Sequence, residues 1–258
     1  MGRQKLSFDL LPTLKEELAE SINPDVQDHW EKKISAGIVP TEVKKQVQVN
    51  PALHLEEMER LASFEVRVVQ GLYDSQWKPG GRNTPGQLHY FGIGTGVALS
   101  RVRKIANENG DEVVAYDVCD AGYRAGLEAF RGPPSVGNRV LLADIEVACQ
   151  RRYIKPSKAS KLVACRVLDV LDTQERGKMA RTARGIGKLT SFLDVLIMHP
   201  CSLDNPNAVW GDTTPHTLAE VLGHVQRGRG VAHPLDATEL GKQTFHGHVY
   251  TMVLIQGR

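Results

Sequence analysis

Apolar residues recur along this chain in two different rhythms. Over residues 1–80 the spacing is helical and connective. Thr13 followed by Glu16 and Glu17 is a capping-box start for a short helix ending near Ser21. Asn50-Pro51 opens a second helix over roughly 51–64, where Leu55, Met58 and Leu61 recur at three-residue steps on one face. Between 79 and 86, five of eight positions are glycine or proline, which predicts a loop and a boundary.

From residue 88 short apolar runs alternate with helical stretches. Leu88–Phe91 reads as a buried strand running into Gly92-Ile93-Gly94-Thr95-Gly96, followed by a helix from Val97 to Glu108. Val113–Tyr116 is a second strand ending at Asp117, and 120–131 a helix. Arg139–Ala143 reads as a third strand ending at Asp144; Leu162–Leu168 competes for that place, with Asp169 after it. Leu193–Met198 is then counted as the fourth strand, 215–227 as a helix, Val231-Ala232 as the start of another strand, and His248–Ile255 as an apolar terminal strand. Alternating strands and helices predict an α/β fold, a Rossmann-like, doubly wound and mostly parallel sheet with helices on both faces. It is expected over 81–258, with an N-terminal helical extension over 1–80.

Composition narrows the class. The chain has 258 residues, 41% hydrophobic and 24% charged, which excludes wholly disordered, collagen-like and coiled-coil chains. Its four cysteines form no C-x-x-C pair, so a disulfide scaffold or zinc ribbon is not expected. No apolar run approaches the ~20 residues that span a bilayer, and a soluble, cytoplasmic protein without a membrane partner is expected. The net charge of +2 hides an asymmetry: residues 1–63 carry a net −3, whereas 151–188 hold 11 Lys/Arg against 3 Asp/Glu, a net +8. That segment is a candidate footprint for an anionic partner such as RNA. Arg181, Arg184 and Lys188 are its candidate substrate-binding residues, and Gly177, Gly185 and Gly187 suggest flexibility.

The glycine loop carries the most specific chemistry. A strand, a glycine-rich turn and a helix place backbone N–H groups around a ligand, and a carboxylate ending the next strand can accept from ribose hydroxyls. Asp117 lies 21 residues after Gly96, near the spacing such an acid needs. A dinucleotide fingerprint requires G-x-G-x-x-G/A, and here the third glycine comes one residue early, which disfavours a nicotinamide cofactor.

Gly92-Ile93-Gly94-Thr95-Gly96 instead resembles motif I of the class I S-adenosylmethionine-dependent methyltransferases, and the resemblance extends over about 88–258. It implies that the loop wraps the methionine part of S-adenosylmethionine, that Asp117 binds its ribose and that Asp144-Ile145 flanks its adenine. It also implies an antiparallel last strand, which Val249–Ile255 can supply. Tyr90 stands where that family commonly has an acid, two positions before the first glycine. The function implied is methyl transfer, with RNA as a candidate acceptor; a non-catalytic methyltransferase-like module binding RNA or protein is the alternative.

Chemistry is expected beyond the fourth strand, at Met198-His199-Pro200-Cys201, with His199 as candidate general base. No metal site is expected, since His233, His246 and His248 lack a carboxylate or cysteine at a fixed short spacing. Oligomeric state and the identity of the acceptor are not legible.

Overall fold

A computed structural model describes residues 11–35, 51–77, 86–131, 137–150, 154, 160–168, 171, 176–200, 216–230, 234–245 and 248–256. Three helices come first: α1 (Leu11–Glu20), α2 (Pro24–Ser35) and α3 (Pro51–Ser75). Then follow β1 (Gly86–Phe91), α4 (Leu99–Glu108), β2 (Asp111–Asp117), α5 (Asp120–Ala129), β3 (Arg139–Leu142) and α6 (Ile145–Gln150). The remainder is β4 (Lys161–Cys165), α7 (Lys178–Leu189), β5 (Asp194–His199), α8 (Leu218–Arg229), β6 (Ala237–Phe245) and β7 (His248–Ile255).

The seven strands form one sheet in the order β3-β2-β1-β4-β5-β7-β6. β1 to β5 are parallel, and β7 runs antiparallel between β5 and β6. The expected doubly wound sheet with an antiparallel last strand is therefore present. Both Arg139–Leu142 and the competing Leu162 segment are strands. The first is the sheet edge and the second the central β4, so the strand counted fourth from sequence, Leu193–Met198, is β5. The miscount comes from treating the two apolar runs as alternatives, when both pair into the sheet; β4 opens on Lys161, which is 2% exposed.

Lys161 is buried because its ammonium meets Asp111 at 2.5 Å, and the Tyr73 hydroxyl donates to the same Asp111 oxygen at 2.6 Å. This contact fastens the C-terminal end of α3 beneath the amino ends of β2 and β4. α3 runs eleven residues past the helix expected from sequence, because Phe64, Val69 and Leu72 continue the buried stripe begun at Leu61. β6 escaped prediction because most of its residues are polar and half exposed, as suits an edge strand. The strand expected to begin at Val231-Ala232 lies outside the described residues.

Side chains alternate across the sheet and build a core on each face. Leu88, Tyr90, Val113, Ala115, Val163, Leu196 and Met252 pack under α3 and α4. Phe91, Val114, Tyr116, Leu162, Val195, Ile197 and Val253 pack under α7 and α8, and Leu18 of α1 joins this second cluster. The glycine-containing end of the basic segment 151–188, read as flexible, is α7, a core helix between β4 and β5. Met179, Thr182, Ala183, Ile186 and Leu189 face the sheet, and its glycines serve close packing. A Cβ on Gly185 would lie 2.8 Å from the Cβ of Cys149. One on Gly187 would strike the carbonyl of Val225 in α8, and one on Gly228 the carbonyl of Arg184 in α7.

These contacts separate two glycines of one helix. Gly228→Ala should destabilise the protein by about 1–3 kcal/mol, because backbone cannot move aside as a side chain does. Gly223 of the same helix faces only the tip of Arg227, at 3.8 Å. Gly223→Ala should therefore gain about 0.5–1 kcal/mol of helix propensity. Urea denaturation of both variants checks the opposite signs.

Candidate functional site

The carboxyl ends of the parallel strands are where ligands bind in an open α/β sheet, and the glycine loop lies there. After Phe91 the backbone takes left-handed values at Gly92 (φ 72°), Gly94 (φ 55°) and Gly96 (φ 72°). Three such residues in five explain the sequence pattern, since side chains disfavour this conformation. Close packing adds to the demand. A Cβ on Gly92 would stand 2.5 Å from Val167, just past β4, and one on Gly96 would stand 3.1 Å from the Ala125 carbonyl in α5. Ile93 is buried in the core, while Thr95 and Val97 are exposed.

Asp117 ends β2 and is 4% exposed. Its Oδ2 accepts from the Gly94 N–H at 2.9 Å, and its Oδ1 from the Cys119 N–H at 3.2 Å. Loop and carboxylate are thus one unit. Burial raises the Asp117 pKa, opposed by the hydrogen bonds from Gly94 and Cys119. Burial, with Asp117 beside it, pushes the Cys119 thiol up to about 12, so it is no nucleophile. α5 comes this near only because residue 122 is glycine: a Cβ there would sit inside contact distance of the Asp117 carboxyl. Glu31 of α2 reaches the same helix, accepting from the Ala121 N–H at 2.7 Å and pairing with Arg124 at 3.3 Å.

Asp144 follows β3 as expected, but both its oxygens are engaged. Oδ1 accepts from the Glu146 N–H at 2.8 Å, and Oδ2 meets the Lys178 ammonium at 2.5 Å, with both side chains buried. Ile145 beside it is 7% exposed. Nothing local signals this pair, because Lys178 is 34 residues away on α7. Arg181, one turn further along α7, pairs with Glu146 at 2.8 Å. Arg184 and Lys188 are exposed.

His199 ends β5, not the fourth strand, and is 1% exposed. Burial, with His216 beside it, lowers its pKa to about 4, so it is neutral at physiological pH. The His216 backbone lies nearby, but among the described residues neither ring nitrogen of His199 meets a hydrogen-bond partner in good geometry. Cys201 lies outside the described residues. The segment that does follow the fourth strand is Arg166-Val167-Leu168, and Val167 is the residue touching the glycine loop. Asp169 lies outside the described residues.

Tyr90 stands in place of the usual acid, yet a carboxyl is close behind it. The Tyr90 hydroxyl donates to Glu65 Oε1 of α3 at 2.7 Å, and both residues are buried. Burial pushes Glu65 up to about 7, against the Tyr90 and Cys165 hydrogen bonds and the Arg166 and Arg101 charges. Sequence reading misses Glu65 because it lies 25 residues upstream in another element. Among the described residues no group of three or more His, Cys, Asp or Glu is placed to hold a metal ion. None of the described helices is long and apolar enough to cross a membrane.

No family model matches the chain, and no curated protein matches its sequence. Solved structures do resemble it. WbdD, a bifunctional kinase-methyltransferase, superposes with a TM-score of 0.54 at 12% identity, over 74% of this chain and 39% of that one. An O-methyltransferase family protein from Burkholderia thailandensis gives a TM-score of 0.51 at 13% identity, over 78% of this chain and 57% of that one. The chain spans less than two thirds of either protein, and at such identities the likeness is one of fold. Together with the strand order and the loop at the end of β1, it shows that the chain has the class I S-adenosylmethionine-dependent methyltransferase fold.

Proposed function

We propose that this protein binds S-adenosylmethionine and transfers its methyl group to a small-molecule acceptor. The observation that carries the reading is the left-handed Gly92–Gly96 loop, held by its Gly94 N–H to the carboxylate that ends β2. When bound, S-adenosylmethionine supplies an electrophilic sulfonium methyl. The loop would hold its methionine part, where the absence of side chains allows close backbone approach. Asp117 Oδ1 accepts from the Cys119 N–H and thiol, whereas Oδ2 accepts from the Gly94 N–H, so Oδ2 is the oxygen with a lone pair for a ribose hydroxyl. Ile145 would flank the adenine. Asp144 does not fit the role its position suggests, because Lys178 and the Glu146 N–H already occupy it. Methyl transfer depends chiefly on holding the acceptor in line, so the chain's task is positioning.

A small acceptor is favoured over RNA because the cations of the basic stretch do not form one free surface: Lys161, Lys178 and Arg181 are paired with carboxylates of the fold. Lys178 is buried and paired, and Arg181 is half-buried and paired, which leaves Arg176, Arg184 and Lys188 as the exposed cations of α7 and its first turn. Engagement of Asp144 and the presence of Tyr90 also suit the second reading, a binding module without turnover. Binding of the cofactor with no consumption of its methyl group by any acceptor would select that reading.

Calorimetry with S-adenosylhomocysteine tests the cofactor. The protein should bind it, and bind NAD far more weakly. Asp117→Ala should weaken binding about ten- to a hundredfold, the worth of charge-assisted hydrogen bonds of about 1.5–3 kcal/mol. Equal affinity for NAD, or an Asp117 variant with unchanged affinity, would overturn the reading.

The two strand-end acids should separate by readout. Asp144→Ala strands the Lys178 ammonium in the interior and should cost about 3–5 kcal/mol of stability. The double change Asp144→Leu with Lys178→Met should recover most of it, because it removes both charges at once. Denaturant midpoints of the single and double variants decide this.

A further inference from the structure

Arg166 is the residue of this fold whose chemistry the cofactor reading leaves unused. It is the first residue after β4, and among the described non-glycine residues it alone has positive φ, at 56°. Such a conformation costs about 1–2 kcal/mol in a residue with a side chain. Its N–H donates to the Met198 carbonyl of β5 at 3.2 Å, which fixes the backbone at the strand end. The next residue, Val167, is the one packed on Gly92 of the glycine loop.

The guanidinium sits in an apolar cage. Its carbon lies 4.9 Å from the Phe245 ring centroid and 5.5 Å from that of Tyr250. Among the described residues Nη1 reaches only the Met58 sulfur, at 3.6 Å, and Nε is buried with no hydrogen-bond partner. Lys161, Lys178 and Arg181 each meet a carboxylate within 2.8 Å. Arg166 meets none at ion-pair distance among the described residues. Among the described residues this half-buried guanidinium has five donors, one thioether contact and no ion pair, although it feels the charge of Glu65. Glu65 lies near it but already accepts from Tyr90.

The surroundings extend the apolar character outward. Leu55 precedes Met58 by one turn on the same face of α3 and is 68% exposed.

We propose that Arg166 is the anion-binding end of the acceptor site, and that the acceptor is a small carboxylic acid carried on an apolar or aromatic body. The planar fork of the guanidinium matches a carboxylate bidentately; the buried Phe245 and Tyr250 rings back it, and Met58 and Leu55 of α3 are the more accessible apolar side chains for the remainder. A single cation in an apolar cage fits one negative charge better than a phosphate dianion. Calling the ligand an acceptor rests on the methyltransferase reading; the anion site itself does not.

Glu65 should modulate the site. Tyr90 from β1, Cys165 from β4, Arg166 itself and Arg101 from α4 surround its carboxyl, and burial dominates by pushing its pKa to about 7. Above pH 7 it is an anion close to Arg166 and competes with a bound carboxylate. Below pH 7 it is neutral, so the site should tighten as the pH falls from 8 to 6.

The test is NMR titration of the whole chain with benzoate, phenylacetate and hexanoate, each against its neutral amide, with and without S-adenosylhomocysteine. At least one acid should bind tenfold or more tightly than its amide. Arg166→Gly removes the guanidinium while suiting the positive φ, and should abolish that preference without loss of stability. Arg166→Lys should keep part of it, and Glu65→Gln should flatten its pH dependence. Arg184→Met, on an exposed α7 cation, should change nothing. If no acid outcompetes its amide, or Arg166→Gly leaves the preference intact, the proposal falls even where S-adenosylhomocysteine binds. If S-adenosylhomocysteine fails to bind while the Arg166-dependent preference persists, the anion site stands and the methyltransferase reading falls.

Discussion

One buried carboxylate organises the ligand end of this fold. Asp117 closes β2, draws in the Gly94 N–H of the loop after β1 and accepts from the first residues approaching α5. Two strands and a helix are thereby referred to one point. The arrangement tolerates no bulk: Gly94 must turn left-handed to present its N–H, and residue 122 must lack a Cβ for α5 to pass the carboxyl. A desolvated carboxylate is costly unless it is hydrogen-bonded, so loop and acid stabilise each other only when both are in place. That mutual dependence makes the loop a preformed feature of the protein.

The same economy of space recurs at the helices on the opposite face. Gly187 and Gly228 let α7 and α8 approach until backbone meets backbone, and Gly185 admits Cys149 of α6. Charges that look solvated in sequence are used there as internal ties. Lys178 holds α7 to the Asp144 corner after β3, Arg181 holds it to α6, and Lys161 holds β4 to β2. Within the run of cations that reads as a surface for an external anion, Lys161, Lys178 and Arg181 are the partners of anions already inside.

The N-terminal helices take part in the site from two directions. α3 meets the sheet at its lower end through Tyr73 on Asp111 and at its upper end through Glu65 on Tyr90 and Met58 on Arg166. α2 places Glu31 at the start of α5, beside the Asp117 corner. A carboxyl absent from the strand is thus delivered by a neighbouring helix, one residue further from the loop, with the Tyr90 phenol between.

Local pattern determined the elements whose cause is local. The strands at 88–91, 113–116, 139–143 and 248–255, the glycine loop and the acids at 117 and 144 were legible, because period-two apolar runs, left-handed glycines and strand-end carboxylates depend on neighbours in sequence. One helix and one strand are misjudged for the opposite reason. α7 is cationic and glycine-rich in isolation and becomes a core helix only when Asp144, Glu146 and α8 supply what it lacks. β3 and β4 compete in sequence for one place, each an apolar run followed by an acid, and only pairing in the sheet shows that both are strands. The same limit governs the site. Sequence alone could name Asp117, but not that Gly94 holds it; it could note Tyr90, but not the Glu65 behind it. Which strand ends beside the loop, and hence that Arg166 rather than His199 follows the fourth strand, was decided by the order of strands in the sheet. That order is set by long-range pairing, and no local rhythm of apolar and polar residues records it.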